Sequence, residues 1–242
     1  MSIARALLLA CLVFVVTLLT RLPARSLVPL LPAGISCDTP GGTIWHGSCA
    51  QLRASGLALS GISWTVHPRA LLGLQLAADV ASEDPRAQGS AALVLSRGQR
   101  LTVSDLNAQL PLQSGLPLFP SGLSGTVQVA VGSATLQRGQ LTSLQGSVRV
   151  LQLRSEAQAA DLGSFELVFP PAAAGSPIVG QLTDLGGPLS VSGELRLMSG
   201  GYDLAGFVAA RAAASGDVVQ ALQLLGPADA QGRRMFSLAG SL

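Results

Sequence analysis

The sequence contains no lysine; all 15 basic residues are arginine, set against 13 acidic ones. Charged residues make up 12% of the 242 positions and aromatic ones 4%. A net charge of +2, thinly spread, excludes the footprint of a nucleic-acid binder. No run of arginines offers a patch for steering an anionic partner. The missing lysine itself reads as the mark of a GC-rich genome. Signatures of chemistry are missing as well: there is no G-x-S-x-G, no Walker A and no G-x-G-x-x-G. No His-x-x-x-His or Cys-x-x-Cys pair offers a metal site. The two histidines, His46 and His67, adjoin strand-like residues and read as surface or edge positions. Asp79, Glu83 and Asp84 cluster beside Pro85 and read as a solvated loop; Glu156, Glu166 and Glu194 read as outward-facing or loop residues. No catalytic residue, metal ligand or cofactor site is therefore expected, and the chain is read as a non-enzyme.

What is present is apolar mass of Ala, Leu and Val, punctuated by 28 glycines. Residues 6–20 are apolar apart from Thr17 and Thr20, with Arg5 before them and Arg21 and Arg25 after. Two readings stand. A cleaved signal peptide lacks a good small-residue cut site, since Leu22 and Pro23 precede Ala24. An uncleaved anchor over 3–22 reaches spanning length if the arginines snorkel. Prolines 23, 29, 32 and 40 then forbid a long helix, so 26–40 reads as a linker.

Cys11 lies in the apolar run and reads as a small hydrophobe. Cys37 and Cys49 bracket the Pro40-Gly41-Gly42 turn and the strand-like Thr43-Ile44-Trp45. A hairpin would bring them within bonding reach, and a disulfide there would add roughly 3 kcal/mol and imply an oxidising compartment. Two buried free thiols are the alternative; a metal site is the least supported. The short N-terminus and the cysteine pair favour a chain whose bulk lies outside the cytoplasm.

Beyond this stretch, glycine turns alternate with runs of period two. Leu57 and Leu59 suggest a strand over 52–59; Gly61 turns the chain into Ile62, Trp64 and Val66, ended by Pro68. Further strands are expected over 91–96, 101–106, 126–131, 147–154, 164–169, 189–197, 202–211 and 235–242. In 147–154 the apolar phase shifts from Val148 and Val150 to Leu151 and Leu153, which suggests a bulge. One helix is convincing, 216–225, with Ser215 as its cap and Gly226-Pro227 as its stop; a weaker one could include 155–161. Pro111, Pro117, Pro120 and Gly122 suggest a joint near 111–122 between two halves of a β domain spanning 41–242. The fold class is therefore all-β with an N-terminal transmembrane helix (1–25 with its short N-terminus): a mostly antiparallel curled sheet, half-barrel or sandwich, with one or two short helices.

Both tryptophans lie in two short motifs, Gly42-Thr43-Ile44-Trp45-His46-Gly47 and Trp64-Thr65-Val66-His67-Pro68-Arg69-Ala70-Leu71-Leu72-Gly73. The tryptophans read as packing anchors of the first hairpin. A third stretch runs from Leu224-Leu225-Gly226-Pro227 through Gly232-Arg233-Arg234 to Phe236-Ser237-Leu238-Ala239-Gly240. In these three places the chain resembles protein N of the bacterial type II secretion system, also called general secretion pathway protein N. That family has G-T-x-W-x-G and W-x-x-x-P-x-x-L-L-x-G segments, here carried by Gly42, Thr43, Trp45, Gly47, Trp64, Pro68, Leu71, Leu72 and Gly73; the cysteine pair is not part of the motif. The resemblance implies a single-pass inner-membrane protein with its bulk in the periplasm and no enzymatic activity. Its partners would be other secretion components of the inner membrane and the outer-membrane secretin.

Two functions follow from different classes. One is a secretion component acting by protein–protein contacts. The other is a membrane-anchored lipid-handling module whose curled apolar sheet holds an acyl chain. A closed, packed core would favour the first and a continuous open apolar groove the second.

Overall fold

The computed structural model describes residues 21–242 except 31–33, 55–56, 86, 113–121, 174, 199 and 242. The apolar run 6–20, expected as the anchor, lies outside the described residues. Among the described residues no helix is long and apolar enough to cross a membrane.

The described residues form thirteen strands: β1 (Ile35–Gly42), β2 (His46–Ala54), β3 (Leu57–His67), β4 (Leu76–Asp84), β5 (Ala87–Ser96), β6 (Arg100–Leu112), β7 (Leu123–Gln137), β8 (Gln140–Ser155), β9 (Ala160–Phe169), β10 (Ile178–Asp184), β11 (Leu189–Met198), β12 (Gly201–Ala210) and β13 (Arg234–Ser241). Each pairs antiparallel with its neighbours in sequence, so the sheet order runs from β1 to β13 without a crossover. The end strands do not meet, and the sheet is an open, curled one. Short turns make this possible. Between β7 and β8 only Arg138 (φ 52°) and Gly139 (φ 80°) intervene, the two left-handed residues of a hairpin turn whose twist matches the strands.

Period two in the sequence becomes two unlike faces. Val127, Val129 and Val131 of β7 face Leu110, Ala108 and Leu106 of β6 on one side, and Val150, Val148 and Gly146 of β8 on the other. On the opposite face Gln128 lies between Gln109 and Arg149. Bulges keep the apolar set together where the sequence changes phase. Against β5 the strand has one extra residue at Asp105 (φ 52°), where Asp105 and Leu106 together stand opposite Ala91, and beyond it Val103 and Leu101 continue the row against Ala134 and Leu136 of β7. Without that extra residue the leucines would move to the polar face. The phase shift in β8 is the same device, with Gln152 at φ 51° and a register break between Val150 and Leu153. Each bulge also bends its strand, and several lie in β5–β8.

Little covers this face. A 3-10 turn (Ala24–Leu30) lies against β1 and β2, a second (Pro68–Gly73) against β4, and helix α1 (Gly216–Gln223) against β9 and β12. The buried core is α1's: Val218 packs on Ala160, Leu189 and Val208, with Phe165, Val191, Leu222 and Phe236 around them. Ser215 caps the helix by accepting from the Val218 amide at 3.4 Å.

Several expectations are corrected. Residues 52–59 are not one strand: β2 ends at Ala54 and β3 starts at Leu57. Gly61 (φ 63°) lies inside β3 and marks a local irregularity there, not a turn. Residues 155–161 form a tight turn between β8 and β9, because both ends are claimed by the ladder (Ser155 opposite Ala160). Strand β10, not foreseen, is confined between two loops. Residues 35–40 are sheet instead of linker; Pro40 is tolerated because β1 is an edge strand. Pro111 and Leu112 belong to β6, which pairs with β7 up to Leu112 opposite Gly125, so one sheet crosses the stretch read as a joint.

One ion pair ties the end of the sheet near α1. The Arg211 guanidinium lies 2.7 Å from Asp184 Oδ1 and also donates to the Leu189 carbonyl at 2.8 Å. Asp184 Oδ2 accepts from the Val191 amide and Oδ1 from the Gly186 amide. Burial pushes the carboxyl up, but Arg211 and the two amides outweigh it and hold Asp184 below the usual carboxylate range. A depressed folded pKa gives stability that is complete above the unfolded value near 3.8 and is lost as pH falls through the folded value. Replacing Asp184 by Ala is therefore expected to cost about 2 kcal/mol in urea unfolding at neutral pH. The gap between the variant and the parent should narrow once the pH drops below 3.8.

Candidate functional site

The two tryptophan motifs are one construction. Gly47 of β2 is registered opposite Trp64 of β3, and the indole lies flat over it. A Cβ on residue 47 would overlap Trp64 Cζ2, stand 2.6 Å from Cε2 and 2.7 Å from the Thr43 carbonyl. Only glycine leaves room for that ring. The indole Nε1 then donates to the Ile44 carbonyl at 3.2 Å. Thr43 closes the intervening turn: its amide donates to the His46 carbonyl at 2.8 Å, and its Oγ1 accepts from the His46 amide at 3.1 Å. The Val66 amide donates to the Trp45 carbonyl at 2.7 Å. Gly42, at φ 76°, starts the turn in a conformation that favours glycine.

The same turn receives the incoming chain. Pro23 bridges to Thr43, and the Ile44 amide donates to the Leu22 carbonyl at 3.0 Å. A disulfide joins Cys37 to Cys49, with Cα atoms 5.8 Å apart. It runs diagonally, since Cys37 is registered against Leu52 and Cys49 against Pro40. Cys49 is buried. Pro68 opens the 3-10 turn that follows β3; Leu71 and Leu72 are exposed there, and Leu74 ends it at φ 57°.

The second feature is the apolar face itself. From Trp64 through Val80, Leu93, Val103, Val131 and Val148 it runs unbroken across β3–β8, and among the described residues no element lies over it between the turn at 68–73 and α1. Its residues are mostly half-buried rather than buried. With no covering layer among the described residues, the shelter of these side chains comes from their neighbours on adjoining strands, and we take the apolar face as the inner face of the curl. The groove has a cleft of about 590 Å³ at one end, lined by Leu136, Leu141, Ile178, Leu197 and Met198. Another of about 620 Å³ lies at the α1 end, beside Ala160, Pro188 and Asp217.

The titratable side chains of the described residues stand apart from one another in pairs. Among the described residues no three His, Cys, Asp or Glu side chains come together to hold a metal. His67 Nε2 lies 2.7 Å from Asp79 Oδ2 on the outer face, and His46 is exposed. Glu166 pairs with Arg149 and Glu194 with Arg196 across the polar face. One acid was misread. Asp84 is only 7% exposed, not part of a solvated loop, and accepts from the Ser60 amide at 2.9 Å and from the Ser60 hydroxyl, stitching β4 to β3. No local pattern signals this, because Ser60 and Asp84 meet only through strand pairing.

An open antiparallel meander with one concave apolar face and an assembled entry hairpin defines a class of non-globular groove proteins. Within it, the profile of the family described as type II secretion system (T2SS), protein N, matches residues 33–237. The chain belongs to that family, whose members are components of the secretion machinery. A relative from Vibrio cholerae serotype O1 (strain ATCC 39315 / El Tor Inaba N16961), named Type II secretion system protein N, is 31% identical over 165 residues. The match covers 63% of this chain and 64% of the relative, just under two thirds of its length. No solved structure matches.

The Gly47–Trp64 contact makes a direct prediction. In a Trp45→Phe background, Gly47→Ala should expel the Trp64 indole, shift its emission to the red and cost about 1–3 kcal/mol in chemical unfolding. An unchanged spectrum would mean that the ring does not rest on Gly47.

Proposed function

We propose that this chain is a non-enzymatic component of type II secretion, anchored in the inner membrane by residues 3–22, whose β domain faces the periplasm and works by protein–protein contact. Family membership supports the machinery. The cysteine pair supports an oxidising compartment. The observation that carries the mode of action is the difference between the two edges of the sheet. At β1 the edge is interrupted by Thr39 (φ 52°) and Pro40, and the 3-10 turn at 24–30 lies against it. At β13 the free edge has no proline, no bulge and one charged residue, Arg234; Met235 is 67% and Leu238 56% exposed. Such an edge is ready to accept a strand from a partner. Other inner-membrane secretion components, and the secretin, are the partners this reading names. A photo-crosslinking residue at position 235 should capture a secretion component in cells, whereas one at Gln128, on the polar face in mid-sheet, should not. Equal yields from both positions, or none at 235 in folded protein, would sink the edge as the contact.

The open groove favours a second reading beside the first: the concave face shelters an acyl chain. Among the described residues the face carries a few buried positions, Leu112, Val127, Val131 and Ala134, and no second layer of secondary structure packed on them. Native mass spectrometry of gently extracted protein should then find phospholipid bound, and Val129→Glu, which puts a charge in the groove, should abolish it. Lipid-free wild type would remove this reading and leave the first intact.

A further inference from the structure

The meander sorts its connections to two ends, and the ends differ in charge. The turn at 43–45, the 3-10 turn after β3, and the turns at 97–99, 138–139, 170–177 and around 200 all lie at one end. In those connections among the described residues there is no Asp or Glu. Arg69, Arg97, Arg100 and Arg138 are there, and Arg21 and Arg25 flank the chain where Leu22 bonds to Ile44. All six are exposed, and none forms an ion pair with a described carboxylate. The Arg138 amide donates to the Gln99 carbonyl at 3.1 Å, which holds two of these turns side by side. The nearest acids are set back within strands: Asp79, engaged by His67, and Asp203, opposite Arg196. At the other end Glu83, Glu156, Asp161, Asp184, Asp217 and Asp229 lie in or beside the connections, but so do Arg154, Arg211, Arg233 and Arg234, and Arg211 and Arg233 pair with Asp184 and Asp229. Arginines without acids in the described connections are thus a property of the first end alone.

The arginine end also carries exposed leucines. Leu72 is 91% exposed, Leu74 57% and Leu71 42%, on and at the end of a short turn that holds no buried residue. Beside them Leu76 and Leu95 are a registered pair at the mouth of the groove, each more than 40% exposed. Apolar side chains ringed by unpaired arginines fit the interface of an anionic bilayer, where the side chains enter the acyl boundary and the guanidinium groups meet phosphates. Soluble protein surfaces have little reason to hold three bare leucines on one turn.

We propose that this rim, centred on Leu71, Leu72 and Leu74 and flanked by the arginines, docks on an anionic phospholipid surface, so that the groove opens towards the membrane. The occupant is the bilayer because of where the chain comes from: the apolar run 6–20 precedes Arg21 directly, and residue 22 is bonded to the same rim. The orientation rests on the anchor reading, but the contact does not. The test is made on the full chain in vesicles, with Leu72→Cys in a Cys11→Ala background carrying an environment-sensitive fluorophore. The same label at Leu185, exposed at the far end, is the control. In vesicles containing phosphatidylglycerol, the label at 72 should be quenched by nitroxide-bearing lipid and shielded from iodide, and that at 185 the reverse. Substituting Arg97, Arg100 and Arg138 by Gln should weaken docking by about fivefold per arginine. A label at 72 as open to iodide as that at 185 would overturn the proposal, as would quenching unchanged in neutral vesicles and in the triple variant; capture of the rim by a protein in place of lipid would give the first of these. Alkaline carbonate separates the two readings. A chain that is washed off yet quenches at 72 keeps the docking and loses the anchor; one that stays without quenching does the opposite.

Discussion

The constraint on which everything else depends is an apolar sheet face with almost nothing to pack against. Thirteen strands present one continuous row of Leu, Val and Ile, and a single eight-residue helix covers only the β9–β12 corner. A flat sheet of this kind would leave the rest of that face in water, at about 25 cal/mol for each Å². Curvature is the available remedy, because it lets side chains on neighbouring strands shield one another. The bulges at Asp105 and Gln152 therefore have two tasks at once: they bend the sheet, and they return the leucines to the inner face after each change of phase. The partial burial of nearly every inner residue is what such a compromise looks like.

An open sheet must also manage its edges, and the two are managed differently. At β1 a proline, a left-handed threonine, a disulfide to β2 and the incoming chain all interfere with further pairing. At β13 there is no comparable device. The asymmetry gives the molecule a direction: closed where the chain arrives, extendable where it leaves. The Trp64 indole seated on Gly47 belongs to the closed side, where it fixes the turn to which Leu22 is bonded. The motif residues thus act as a joint between the sheet and whatever precedes it, which explains why two segments far apart on paper are physically one.

Much of this architecture is legible in the sequence because period-two patterning and glycine turns are local signals. The strands around Val127, Phe165 and Leu195, the stop at Pro68, the cap at Ser215 and the bulge in β8 all follow from neighbouring residues. What is not legible depends on pairing. Gly61 resembles a turn, yet the ladder with β2, Ser60 against Gln51 and Ile62 against Cys49, carries the strand through it. Ser155 could begin a helix, but Arg154 and Ser155 are bound into the ladder with β9. Asp84 resembles a solvent-facing acid until Ser60 is brought beside it. The choice between sandwich and half-pipe is likewise invisible, because it turns on how the strands are ordered and not on their faces.

Charge shows the same limit most clearly. A net charge of +2 over 242 residues carries no message, and no stretch of the sequence is basic enough to attract notice. In a strict up-and-down meander, however, alternate connections are sent to opposite ends, so residues that are some thirty positions apart become neighbours. Arg69, Arg97 and Arg138 come to the same end by this rule alone, and the acids of the intervening connections are sent to the far side. Topology has converted an unremarkable composition into one end whose described connections carry arginines and no acid, and that end is also the leucine-bearing one and the point of chain entry. Three independent properties at one place are hard to reconcile with an end that faces bulk water, and a membrane surface accounts for all of them together.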